Sequence, residues 1–187
     1  MYVMGLACRA QVDLTRKAGF TARALQDETG ETAQFPVLDQ DQVLVLLKVE
    51  GRHPLRIISS AGSRVAVKQA AAGRFLVPDM KDTPLRAILS RTVRHSPSGG
   101  AETGIDRLTG RIGAARQIGH AIEINETDET DEHAGCIAAP VLDVAGHCIA
   151  ALGIVVPKPP LTDDRMPTLV GAVRQAAARL SRRLGQI

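Results

Sequence analysis

Aromatic residues are scarce: the 187-residue chain has no tryptophan, one tyrosine (Tyr2) and three phenylalanines (Phe20, Phe35 and Phe75). Proteins that grip single-stranded nucleic acid stack bases on aromatic side chains, so that class is disfavoured. Cysteine is sparse too. Cys8, Cys136 and Cys148 are an odd number, which reads as free thiols in a reducing compartment rather than a disulfide framework. No apolar run reaches the roughly 20 residues a bilayer span needs. The opening MYVMGLACRAQVDLTRK lacks the basic-then-apolar layout of a secretory signal. A cytoplasmic location is the expectation. Charge of one sign is also lacking: 23 basic residues face 20 acidic ones, a net +3 spread along the chain. The densest basic cluster, Arg174, Arg179, Arg182 and Arg183, reads as the solvated face of a last helix, where cations suit the C-terminal dipole. There is no P-loop, no GxGxxG and no nucleophile elbow. No enzyme activity and no cofactor are expected.

What is present is a packed globular pattern, 44% hydrophobic and 23% charged. Gly5 to about Gly30 reads as helix, with a break at Gly19. Glu31–Leu38 and Gln42–Glu50 read as strands around the turn Asp39-Gln40-Asp41, and Pro54–Ser60 as a third strand. Val67–Leu76 suits a helix closed by Pro78, and Thr83-Pro84 opens another running to about Val93. His95–Glu102 is loop and Ile105–Ile118 helix. His120–Glu126, Cys136–Leu142 and His147–Val156 read as strands, with an acidic loop at Thr127–Ala134. A final amphipathic helix begins at Thr162-Asp163-Asp164, with Pro167 near its first turn. The order predicts an α+β fold with a largely antiparallel sheet.

His133, Cys136, His147 and Cys148 crowd the last third. A hairpin about Asp143–Gly146 sets Leu142 opposite His147 and Cys136 opposite Gly153. The thiols then lie about 17 Å apart along the sheet, too far for one zinc ion. Asp128, Asp131, His133 and Cys136 form a second metal candidate, and Cys136 with His133 a nucleophile candidate; solvated loop and buried small hydrophobe are the plainer readings. Metal: none is the expectation. Alternation puts Cys136, Ala138 and Pro140 on one face with Ala151, Gly153 and Val155. These side chains are small and leave room. If the segment containing Ala70, Ala71 and Ala72 crosses that face, either a small-molecule cavity or close helix-on-sheet packing results.

Three ordered stretches carry a family resemblance: ALQDETGETAQFPVLDQDQVLVLLKVEGRHPLRI (Ala24–Ile57), AGSRVAVKQAAAGRFL (Ala61–Leu76), and GCIAAPVLDVAGHCIAALGIVVPKPPLTDDRMPTLVGAVRQAAARLSRRLG (Gly135–Gly185). Together they resemble the C-terminal part of the IclR family of bacterial transcriptional regulators. The resemblance implies a GAF/profilin-like curved antiparallel sheet flanked by helices, with a pocket on one side. It implies 1–18 as a linker helix after a winged helix-turn-helix that this chain lacks, and 19–187 as the effector-binding domain. Tyr2–Gly5 is similar to the last strand of the wing, which suggests a chain cut at the domain boundary, with an effector domain encoded alone as the alternative. The implied effector-binding positions are Ile57, Val65, Ala71, Ala72, Cys136, Gly153 and Val155, with Glu126 or Asn125 as an acidic or amide group. The implied partners are a small carboxylic acid, a second copy in a dimer or tetramer, and DNA only through the N-terminal domain. A ligand-free dimerisation module is the alternative. Where members often carry serines, this sequence has Gly153 and Val155, and Lys68-Gln69 replaces a frequent His-Ala. The departures point away from short keto acids toward a bulkier organic or aromatic acid.

Overall fold

The computed structural model describes residues 2–52, 60–77, 101–124, 134–157 and 161–185. Helix α1 (Tyr2–Thr29) leads into the hairpin β1 (Thr32–Asp39) and β2 (Gln42–Val49). A short strand β3 (Arg64–Ala66), a 3-10 turn (Val67–Gln69) and a one-turn helix α2 (Gly73–Leu76) follow. Helix α3 (Ala101–Ile118), strands β4 (Ala121–Ile124), β5 (Ala134–Leu142) and β6 (Cys148–Pro157), and helix α4 (Met166–Leu184) complete the described chain. The six strands form one antiparallel sheet in the order β3-β2-β1-β6-β5-β4. This is the α+β, helix-flanked antiparallel sheet that the sequence implied.

Alternation along β5 and β6 divides the interior into two cores. On one face, Ile137, Ala139, Val141, Ala150, Leu152 and Ile154 are buried under α1 and α4, which contribute Ala18, Ala22 and Leu25, and Val173, Ala176 and Leu180. Alanines on both helices let them approach each other and the sheet closely, so this core is dense rather than bulky. On the other face, Ala138 and Ala151 meet Ala71, Ala72 and Phe75 around α2, with Leu108, Ile112 and Ala115 from α3. Along β5, and along β6 from Ala150, successive residues alternate between the two faces; at Ile149, beside the pairing irregularity, the alternation is broken.

Several expectations are corrected. Tyr2–Gly5 lies in α1 and not in a wing strand, and α1 continues through Gly19 without a break. Val67–Leu76 is not one helix: Ala70 is extended (φ −109°, ψ 128°) between the 3-10 turn and α2. The physical reason is packing. A Cβ at Gly73 would stand 2.2 Å from the Val67 carbonyl oxygen, so the chain doubles back there on a side-chain-free residue. Helix α3 takes in Ala101 and Glu102, read as loop from their glycine-rich approach. Helix α4 begins at Met166 with Arg165 as its N-cap, and Thr162-Asp163-Asp164 forms the turn before it, where the Thr162 carbonyl accepts from Arg165 and Met166. Pro167 sits in the first turn as expected. The strand expected at Pro54–Ser60 and the helix expected at Thr83–Val93 lie outside the described residues, apart from Ser60, which is in no strand; β2 pairs with Arg64–Ala66 instead.

Candidate effector-binding face

Strand register builds the site. Cys136 pairs with Val155, Ala138 with Gly153 and Pro140 with Ala151. The expected partner of Cys136 was Gly153, two residues away. The turn adds one residue, making Leu142 the partner of Cys148, and an irregularity between Val141 and Leu142 adds another. Two single shifts leave the expected set on one face. Cys136 and Cys148 are six strand positions apart, about 20 Å, and no group of three metal-ligating side chains occurs among the described residues.

Gly153 plays a different part from the one its size suggested. A Cβ there would lie 2.5 Å from the Ile137 carbonyl oxygen and 3.3 Å from the Ala138 Cα. The missing side chain is needed for the β5–β6 approach and does not open space. Val155 is buried opposite Cys136. Ala71 and Ala72 are buried in the same core, so the loop-helix element does cross this face. Val65 lies on edge strand β3, paired with Val43 and partly covered. Ile57, Asn125, Glu126, Asp128, Asp131 and His133 fall outside the described residues.

One acidic residue on this face escaped sequence reasoning. Glu123 on β4 pairs directly with Cys136, so both side chains leave the sheet on the same side. Its side chain is 4% exposed and forms an ion pair with the equally buried Arg74 of α2. Arg111 of α3 approaches both carboxylate oxygens at 3.2 Å. The other arm of Arg74 donates to the Ile122 carbonyl at 2.8 Å. Arg116, one turn beyond Arg111, donates to the Val77 carbonyl at 2.5 Å. A buried carboxylate needs such charge-assisted partners to remain ionised. The available signal was β4's own alternation: Ala121 and Glu123 share a face, whereas counting back from Cys136 through the acidic loop passes over Glu123.

Burial pushes the Cys136 thiol up to about 11, with the Arg74 charge pulling the other way. A nucleophilic cysteine needs the opposite displacement, and His133, the base expected beside Cys136, lies outside the described residues. Burial also raises Cys148 to about 11, and its thiol donates to the Ala150 carbonyl. Among the described residues, the face is therefore an apolar floor of small side chains with a buried ionic cluster at its β4 edge.

Residues 7–182 match the family described as bacterial transcriptional regulator IclR C-terminal. The HTH-type transcriptional regulators KdgR of Escherichia coli K12 and Dickeya chrysanthemi are 26% and 27% identical over 185 residues. Those alignments take in 99% of this chain but 69% and 60% of the two regulators. The solved C-terminal domain of E. coli KdgR superposes with a TM-score of 0.75 at 26% identity, covering 92% of this chain and 99% of that one. An IclR homolog from Microbacterium hydrocarbonoxydans, solved in complex with 4-hydroxybenzoate, superposes at 0.73 with 20% identity over 92% of this chain and 68% of its own. With the family match spanning nearly its whole length, the chain belongs to the IclR family of bacterial transcriptional regulators, as a C-terminal domain of that family.

Proposed function

We propose that this domain senses a small organic acid on the α2–α3 face of the sheet and passes its occupancy to a DNA-binding domain through α1. The observation that carries the reading is the buried ionic cluster of Arg74, Glu123 and Arg111 beside the small-residue floor of Cys136, Ala138 and Val155. Apolar walls with a few convergent polar groups are the usual make-up of a small-molecule site. The complex of a family relative with 4-hydroxybenzoate supports an aromatic or similar carboxylic acid as effector. Ala71 and Ala72, Val65 and Ile57, and Asn125 or Glu126, complete the set of residues proposed to contact it. Gly153 acts by holding β5 and β6 together. No catalytic step is assigned.

Coupling to α1 follows from the shared strands. Neighbouring residues of β5 and β6 point alternately at the effector face and at α1 and α4, so a displacement of these strands by ligand reaches α1 directly. A ligand acts only by the difference in its affinity for two arrangements. Homo-oligomerisation is part of the proposal, since it would align two DNA-binding heads.

The test is a thermal-shift screen of this chain against aliphatic, keto and aromatic carboxylic acids at millimolar concentration. A ligand at about 100 times its dissociation constant adds ~2.7 kcal/mol, a shift of several degrees for a domain of this size. Cys136→Leu, which thickens the floor without touching the strand contact at Gly153, is expected to abolish a hit. A hit that survives Cys136→Leu unchanged, or a panel without any hit, counts against this face as the site.

A further inference from the structure

We infer that Arg74 is the residue that anchors the effector's carboxylate, with Arg111 keeping Glu123 neutralised while it does so. This rests on the effector-site reading above and adds the group that would select an anion.

An acid entering an apolar site loses its hydration and needs a charge-assisted donor in return. The small-residue floor supplies none: Ala138, Ala151, Gly153 and Val155 carry no polar side-chain atom, and the thiol of Cys136 is a weak donor. Arg74 is the cation placed to supply it. It follows Ala71 and Ala72 by two to three residues, is 4% exposed at its side chain, and contacts Glu123, the cross-strand partner of Cys136. The shared contact with Glu123 sets floor and guanidinium side by side; burial raises the Cys136 thiol and the guanidinium charge opposes that rise.

Glu123 would seem to block this role, because it already holds Arg74. The second arginine removes the obstacle. Arg111 lies 3.2 Å from both oxygens of Glu123 and comes from α3, an element independent of α2. If a ligand carboxylate draws one arm of Arg74 away, Glu123 remains paired through Arg111. The bond from Arg74 to the Ile122 carbonyl keeps the guanidinium tethered to β4 during the exchange. A planar guanidinium can serve two carboxylates along two of its edges. The arrangement therefore suits a monocarboxylate whose charge replaces part of Glu123's hold on Arg74. A ligand with a neutral amide in place of the acid gains much less.

The experiment compares each acid of the panel with its primary amide, by calorimetric titration of the whole chain, in wild type, Arg74→Met and Arg74→Lys. Wild type is expected to favour acid over amide by about tenfold or more, the size of one charge-assisted interaction. Arg74→Met removes most of that preference by weakening the acid far more than the amide, and Arg74→Lys restores part of it. A merely structural role for Arg74 would weaken acid and amide alike. Should Arg74→Met fail to fold, the charge-balanced pair Arg74→Met with Glu123→Gln replaces it, with the same loss of preference expected. Acid preference that persists in these variants, or a wild type that binds amides as tightly as acids, overturns the role of Arg74 and leaves the site reading standing. If no acid or amide binds, the site reading falls and the inference falls with it.

Discussion

At the scale of single residues, the ionic and thiol groups around β4 and β5 give the sharpest expectations. The Cys136 and Cys148 thiols stand near 11 in the fold, against 9.0 for an ordinary thiol. The neutral form is thus favoured by folding. Stability from this source is fully present below pH 9 and is lost as pH rises toward 11, because the unfolded chain ionises first. A melting-temperature profile should fall over that window, and Cys136→Ala with Cys148→Ala should flatten the fall; an identical slope would contradict the burial of both thiols. Asp143 behaves in the opposite sense. Its carboxylate accepts from the His147 and Ala145 amides in the β5–β6 turn, which lowers its pKa. Its contribution is present above the ordinary carboxylate range and is lost on acidification. Gly153→Ala should destabilise by about 1–3 kcal/mol, read from urea denaturation, because its methyl must push β5 and β6 apart. A neutral outcome would mean that the strands can separate there at no cost. These residues differ in how legible they were. The common face of Cys136, Ala138, Gly153 and Val155 followed from period-two alternation alone. The role of Glu123 did not, because its significance depends on which strand lies beside β5.

At the scale of elements, regular segments with long apolar periodicity were readable and short ones were not. Helix α4 shows Leu169, Val173, Ala176 and Leu180 at helical spacing, all buried on the sheet, and both long hairpins are present, though the β5–β6 pairing is shifted by two residues from the one its turn implied. The α2 region misled because helix propensity is a local quantity, whereas the doubling back at Gly73 answers to Val67 and to the core above it. Strand β3 is three residues long, too short for alternation to register. The joint between α1 and α4 was equally invisible. Glu31, fully buried where α1 gives way to β1, pairs with Arg165 at 3.0 Å just before α4. Removing Arg165 alone leaves a carboxylate buried with less compensation. Arg165→Met should therefore cost more than Glu31→Gln combined with Arg165→Met, a coupling of about 1 kcal/mol or more in a double-mutant cycle. Additive costs would show that the pair acts independently.

At the scale of the whole molecule, two cores share one sheet. Leu180 belongs to the α1–α4 side and Ile112 to the α2–α3 side, and both are fully buried. Because β5 and β6 serve both cores, neither can melt while the other keeps its floor. Leu180→Ala and Ile112→Ala should each cost about 2–5 kcal/mol and should shift one common unfolding transition, seen as coincident curves by circular dichroism and hydrogen exchange. Separate transitions would show that the faces are energetically independent, and would remove the route by which effector binding is proposed to reach α1. Fold class was legible at this scale from element order. Which helices cover each of the two faces, α1 and α4 on one and α2 and α3 on the other, needed the structure.

That register has a consequence for how this hairpin can change. The Asp143–His147 turn and the irregularity beside Leu142 each displace the pairing by one residue, and their sum is even. The hairpin thus obeys a parity rule. Shifting the β5–β6 pairing by a single residue would turn one strand over against the other, exchanging Ala138 with Ile137 or Ala151 with Leu152, and would send large side chains to the α2–α3 face and small ones to α1 and α4. Changes of two residues would leave both cores intact. Length variation in this turn should therefore be tolerated in even steps, or in odd steps only where a compensating bulge restores the count.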